Sequence, residues 1–109
     1  MDHPQPIAGK TTAIVAYFTI VGALIAITMN LEPKRDFARF HIRQAFGIHL
    51  LFHAFAIFNS VWYVPYALFG LYLGYLVLFA YGFSGALKEK KQRIPIFGNA
   101  FQKWFTFIQ

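Results

Sequence analysis

The sequence has no cysteine, which excludes disulfides, thiolate-bound metals and a cysteine nucleophile. Acidic residues are nearly as scarce. Only four of the 109 residues are Asp or Glu, and none lies inside an apolar run, so no paired carboxylate is available for acid–base work. There is no phosphate-binding glycine loop and no Ser/His/Asp set. Charge of either sign is low, at 13% of residues against about 25% in soluble domains. A soluble chain this small must cover a large surface with polar groups, and this chain lacks them. Together these absences point to a non-enzymatic protein, with no cofactor expected.

What is abundant is apolar. Hydrophobic residues make up 58% of the chain and aromatics 20%. Residues 11–31 carry no charge and, as a helix, cover about 31 Å, the thickness of a bilayer's hydrocarbon core. The polar, proline-containing stretch before them does not resemble a secretory signal, so the run is expected to stay as a span. Residues 44–87 are also uncharged and reach about 66 Å as helix, twice the bilayer core. They must fold back on themselves. Asn59, Ser60 and Pro65 place the turn, flanked by Trp62, Tyr63 and Tyr66, which suit an interfacial aromatic belt. Open strands would leave backbone groups unpaired in lipid. The expected fold is one all-α integral membrane bundle with three transmembrane helices over about 11–31, 44–58 and 65–87, plus a C-terminal amphipathic interfacial helix.

The net charge is +6, and the cations cluster. In a three-span arrangement one side carries only Lys10, while the other carries Lys34, Arg35, Arg39, Arg43, Lys88, Lys90, Lys91, Arg93 and Lys103. The positive-inside rule then places the N-terminus outside and the C-terminus in the cytoplasm. The surface-bound basic residues make nucleic acid an unexpected partner. Two spans plus a re-entrant segment is the alternative topology, and it would put the two basic clusters on opposite faces.

Two segments read as interfacial. In 33–43, Pro33 can open a helix, and Arg35, Arg39 and Arg43 recur every fourth residue on one face. That face is either a contact for anionic headgroups or an acidic partner, or a flank that only sets topology. In 99–109, Phe101, Trp104, Phe105 and Ile108 form one apolar face opposite Gln102, Lys103, Thr106 and Gln109. This segment is too short to span and is expected to lie flat, with Asn99 as its N-cap, on lipid or on a partner subunit.

Polar groups inside apolar spans often carry function. His49 and His53 share a helix face and are the candidate metal or haem ligands; the competing reading is that each imidazole bonds a neighbouring helix. Gly70 and Gly74 form a GxxxG pair, extended by Ala67 and Gly85, that permits close helix packing within the bundle or with a partner. At the entry to the second span, Arg39 and Arg43 suit headgroup level, while His41 and Gln44 turn hydrogen-bonding capacity toward the bundle.

Two motifs, Arg39-Phe40-His41-Ile42-Arg43-Gln44-Ala45 and Arg93-Ile94-Pro95-Ile96-Phe97-Gly98, flank the hairpin. In their order and separation, over residues 37–98, the chain resembles the Tic-twenty-like family. That family includes the chloroplast inner-envelope import component and small bacterial membrane proteins. Its members often read as four-span proteins, one span more than here. The resemblance implies a bacterial inner-membrane protein linked to protein translocation; it implies no catalytic residue. In the second motif, Pro95 ends one helix and Gly98 permits a sharp turn. Three functions stay open: an accessory subunit of a larger membrane complex; a self-associating pore or transporter component, a homo-oligomer; and a haem- or metal-binding protein using His49 and His53.

Overall fold

The computed structural model describes residues 8–31, 34–94 and 97–108. Among them are five helices and no strand: α1 (Lys10–Ala16), α2 (Ile20–Met29), α3 (Asp36–Val61), α4 (Ala67–Leu87) and α5 (Gly98–Trp104). Two of them, α3 and α4, are long and apolar enough to cross a membrane. They cover the expected second and third spans.

The continuous first span is not there. Residues 11–31 form two short helices, which reach only about 10 and 15 Å. The break has a local cause. Thr19 adopts an extended conformation and its hydroxyl accepts from the Gly22 N–H at 3.0 Å, capping α2 in the middle of the apolar run. Gly22 then lies against the Val15 carbonyl of α1, where a side chain would collide with backbone. The chain therefore doubles back. A Cβ at Gly9 would touch Ala38 and Arg35 at the start of α3, Ala16 reaches His49, and Asn30 returns to Arg35, whose N–H it accepts at 3.0 Å. So α1 runs alongside the first half of α3, and α2 brings the chain back to the end where it entered.

α3 is the central element and packs against all four other helices. Its first half is buried from Phe37 to His49. The core is built from Ala13, Ala16, Ala26, Ala38, Ala45 and Ala86 with Tyr17, Ile42, Ile48, Phe101 and Ile108. The alanines let the helix axes approach, and the larger side chains fill the remaining gaps. Beyond His49, α3 and α4 continue alone as a projecting hairpin. It closes at residues 62–66, where Asn59 Oδ1 accepts the Val64 N–H at 3.1 Å and Tyr66 takes a left-handed conformation. Trp62, Tyr63 and Tyr66 are exposed at its tip. Only 6% of the most apolar stretch of α4 is buried, the reverse of a soluble core helix.

The opposite end gathers the charge. α4 closes in a Schellman turn: Glu89 is left-handed, its N–H bonds the Ala86 carbonyl, and the Lys90 N–H bonds Gly85 O at 2.8 Å. Lys10 pairs with Glu89 at 3.1 Å. The start of α1, the start of α3 and the end of α4 therefore share one end, and all ten Lys and Arg residues belong to it. Placing Lys10 and the tail on opposite faces is incompatible with this arrangement. So is separation of the two basic clusters by a re-entrant segment.

The tail also departs from expectation. α5 begins at Gly98 behind Phe97, and Asn99 does not cap it. Phe101 seats its ring on Gly47 of α3, where a Cβ would collide with it. Ile108 is buried and Phe105 partly so, while Trp104 and Phe107 are exposed. Most of the apolar face thus packs on α3 rather than lying flat on a surface. Gly98 has an ordinary backbone conformation; its lack of a side chain makes room for Arg93, whose Cβ would lie 2.8 Å from a Cβ there. Pro33, Pro95 and Gln109 lie outside the described residues.

The absence of native cysteine makes the shared end testable. In the full chain reconstituted in vesicles, Lys10→Cys and Lys103→Cys should react with an impermeant maleimide from the same side, and Tyr63→Cys from the other. Reaction of Lys10→Cys and Lys103→Cys from opposite sides would contradict this fold.

Candidate functional site

Polar residues of the buried core form one connected set between the α1–α2 turn, the first half of α3 and the segment after α4. Its anchor is α3. His41 and Gln44 lie three residues apart on one face, both fully buried. They meet Tyr17 at the α1–α2 break and the extended segment after α4.

The partners fix every proton. His41 Nε2 lies 2.8 Å from the Lys90 carbonyl, which can only accept, so Nε2 carries the hydrogen. Nδ1 is then an acceptor and takes the Tyr17 hydroxyl proton at 2.5 Å. The Tyr17 oxygen accepts from the Gln44 amide at 2.9 Å. The second hydrogen of that amide reaches the Gln92 carbonyl at 3.0 Å, and Gln44 Oε1 accepts the Ile94 N–H at 2.8 Å. Phe37 and Phe40 stand edge-on to the His41 ring at 4.7 and 5.0 Å. Phe79 and Phe83 do the same to Tyr17, with ring centroids 6.4 and 6.2 Å away. Among the described residues, no buried side-chain nitrogen or oxygen lacks a partner.

The same solution recurs two turns along α3. His49 Nε2 donates to the Ala16 carbonyl at 3.0 Å, and its Nδ1 accepts from the Tyr75 hydroxyl at 2.7 Å. Ala16 is the last residue of α1, so its carbonyl has no helical partner. An unpaired carbonyl in an apolar setting is costly. The imidazole supplies that bond. At the tail, Arg43 Nε donates to Ile108 O at 3.0 Å and Gln102 to Phe40 O at 2.8 Å.

This geometry sorts the sequence candidates. His41 and Gln44 face the bundle, as their position at the entry to the second span suggested. His49 and His53 do not form a ligand pair: both nitrogens of His49 are engaged, and His53 is exposed beside Phe52. No group of three His, Cys, Asp or Glu side chains is placed to hold a metal among the described residues. Gly70 and Gly74 pack against nothing inside the chain; a Cβ at either meets no atom within 4 Å. The packing glycines of α4 are Gly82, where a Cβ would lie 2.7 Å from the Tyr17 ring, and Gly85, equally close to Gln92. Of the basic face, Arg35 is exposed, Arg39 pairs with Asp36, and Arg43 holds the tail.

Tyr17, Gln92 and Gly82 were absent from the sequence candidates. Tyr17 is the one tyrosine of the uncharged run 11–31, a signal of a buried hydroxyl that needs a partner. Comparison of the chain with protein-family models, with curated proteins and with solved structures gives no match in any of the three.

Removing one member should expose its partners' cost. Tyr17→Phe leaves His41 Nδ1 and one Gln44 N–H unpaired, and should lower unfolding stability in detergent by about 1–3 kcal/mol. Gln44→Leu strands the Gln92 carbonyl and the Ile94 N–H as well, and should lower it further. Equal stability of Tyr17→Phe and wild type would show that the network is not formed.

Proposed function

We propose that this chain is a small, non-enzymatic membrane subunit whose α3–α4 hairpin crosses the bilayer and docks a transmembrane helix of a larger complex. The observation that carries this reading is the surface of α4. Its apolar stretch is almost wholly uncovered, and Gly70 and Gly74 face open space. A groove of about 200 Å³ lies there between α3 and α4, lined by Leu51, Phe55, Gly70, Leu71, Gly74 and Leu78. In lipid, helices associate through close backbone approach at small residues. An unfilled glycine pair at the floor of an apolar groove suits an incoming helix better than it suits lipid chains.

Lipid accounts for the rest of the exposed hairpin. Its length matches the bilayer core, its tip is aromatic, and every Lys and Arg sits at the other end. By the positive-inside rule that end faces the cytoplasm, so α1 and α2 re-enter from the cytoplasmic side. Irregular backbone at membrane depth is tolerated where protein satisfies it, the role given above to His41, Gln44 and His49. A bacterial inner-membrane setting and a link to protein translocation are carried by the resemblance at residues 39–45 and 93–98. A haem or metal role has less support, because His49 spends both nitrogens on the fold.

Gentle detergent extraction followed by native mass spectrometry tests the reading. A stoichiometric second membrane protein is expected, and Gly70→Leu or Gly74→Leu should release it without lowering the stability of the isolated chain. Recovery of the wild type as a lone monomer would overturn the reading. Recovery as a homo-oligomer disrupted by the same substitutions would replace the partner helix by a second copy.

A further inference from the structure

The network that secures residues 90–94 also shapes a second feature, on the outer side of the same segment. A concavity of about 460 Å³ opens between the first turns of α3, the chain after α4 and α5. Its polar walls are Asp36, Arg39, Arg43, Lys91, Arg93 and Gln102, with Phe40 at the side. Four cations from two separated segments thus face one carboxylate, and that carboxylate is already paired with Arg39.

These side chains are positioned rather than loose. Arg43 is held by the Ile108 and Thr106 carbonyls at 3.0 and 3.4 Å. Gln102 is fixed to the Phe40 carbonyl. The Arg93 guanidinium lies 6.0 Å from the centre of the Phe40 ring, within cation–π range. A neighbouring hollow, lined by Lys34, Arg35, Asp36 and Lys91, extends the positive field. Like charges held this close repel, and a fold has no stability reason to gather them. An anion placed between them removes the repulsion. Guanidinium groups recognise phosphate through paired N–H donors, and lysine adds a point charge.

We propose that this pocket binds a phosphate group, presented by an anionic phospholipid headgroup at the basic end or by a free phosphate compound. The position favours the headgroup. The pocket stands at the level where α3 and α4 leave the apolar hairpin, the depth at which headgroups meet a membrane protein, and basic pockets on the cytoplasmic side are known headgroup sites. Trp104 and Phe107 stay exposed on the tail that forms its rim, as interfacial anchors do. The proposal does not depend on the Gly70–Gly74 groove and stands or falls separately from it.

The test uses the full chain, purified and delipidated in detergent. Phosphatidylglycerol and phosphatidylcholine are titrated by native mass spectrometry, and inorganic phosphate by thermal shift. Lys91 and Arg93 are exposed and contribute no side chain to the buried network, so Lys91→Gln and Arg93→Gln should leave the lipid-free chain folded, with a melting temperature no lower than that of the wild type. Phosphatidylglycerol should bind better than phosphatidylcholine, and each of the two substitutions should weaken it about fivefold. Lys103→Gln, an exposed cation that does not line the pocket, should change it by less than about twofold. Stabilisation by inorganic phosphate, lost in Arg93→Gln and without preference between the lipids, would support the site and name free phosphate as its source. Absence of binding in both arms overturns the proposal, as does an equal loss in Lys103→Gln, which would mean diffuse surface charge rather than a pocket.

Discussion

A helix that breaks inside an apolar environment leaves backbone groups that water cannot reach. The whole architecture follows from how this chain meets that constraint. The interaction at its centre is the Tyr17–His41–Gln44 set. His41 and Gln44 bond the carbonyls of Lys90 and Gln92 and the N–H of Ile94. His49 bonds the free carbonyl at the end of α1. Each residue therefore satisfies an irregular segment whose backbone groups would be costly to leave unpaired in an apolar interior. Without them α1 and α2 would gain by joining into one helix, and the chain after α4 would gain by reaching water.

From that follows the distribution of charge and of exposed apolar surface. Because the first apolar run turns back at Thr19, it exits where it entered, and Lys10 joins the other cations. Because α1, α2 and α5 all pack on the first half of α3, its second half and most of α4 are left uncovered. One end is thus compact, polar inside and basic outside. The other is a bare apolar hairpin with an aromatic tip. The proposed roles divide along the same line: a partner helix at the hairpin, a phosphate at the basic end.

Much of this was legible in the sequence. The 44-residue uncharged run required a hairpin, and Asn59 and Pro65 located its turn, because length against bilayer thickness is a strong constraint. The bundle-facing role of His41 and Gln44 could be read from polar residues entering an apolar helix. The break at Thr19 could not be read from hydropathy, which scores a continuous helix and a tight helical pair alike. A threonine three residues before Gly22 is an N-cap signal, but it decides the fold only because Gly22 can also approach the Val15 carbonyl, a tertiary fact. The glycines failed for a similar reason. Spacing marked Gly70 and Gly74, whereas packing uses Gly47 and Gly82, whose neighbours Phe101 and Tyr17 come from distant parts of the chain, and Gly22 and Gly85, where the chain folds back on itself within seven residues. Of the tail's expected apolar face, Phe101 and Ile108 are buried and Phe105 partly so, but the helix ends at Trp104, which is exposed; periodicity does not say whether such a face meets lipid or the protein's own α3.

The central claim is that neutral imidazoles of one defined tautomer complete the backbone of broken segments. Nitrogen-15 NMR of selectively labelled histidine in the detergent-solubilised chain measures this directly. His41 and His49 should both be neutral and protonated on Nε2, with Nδ1 accepting a hydrogen bond, and Tyr17→Phe should abolish that bond at His41 alone. A charged ring, an Nδ1-protonated tautomer or rapid tautomer exchange at His41 in the wild type would contradict it.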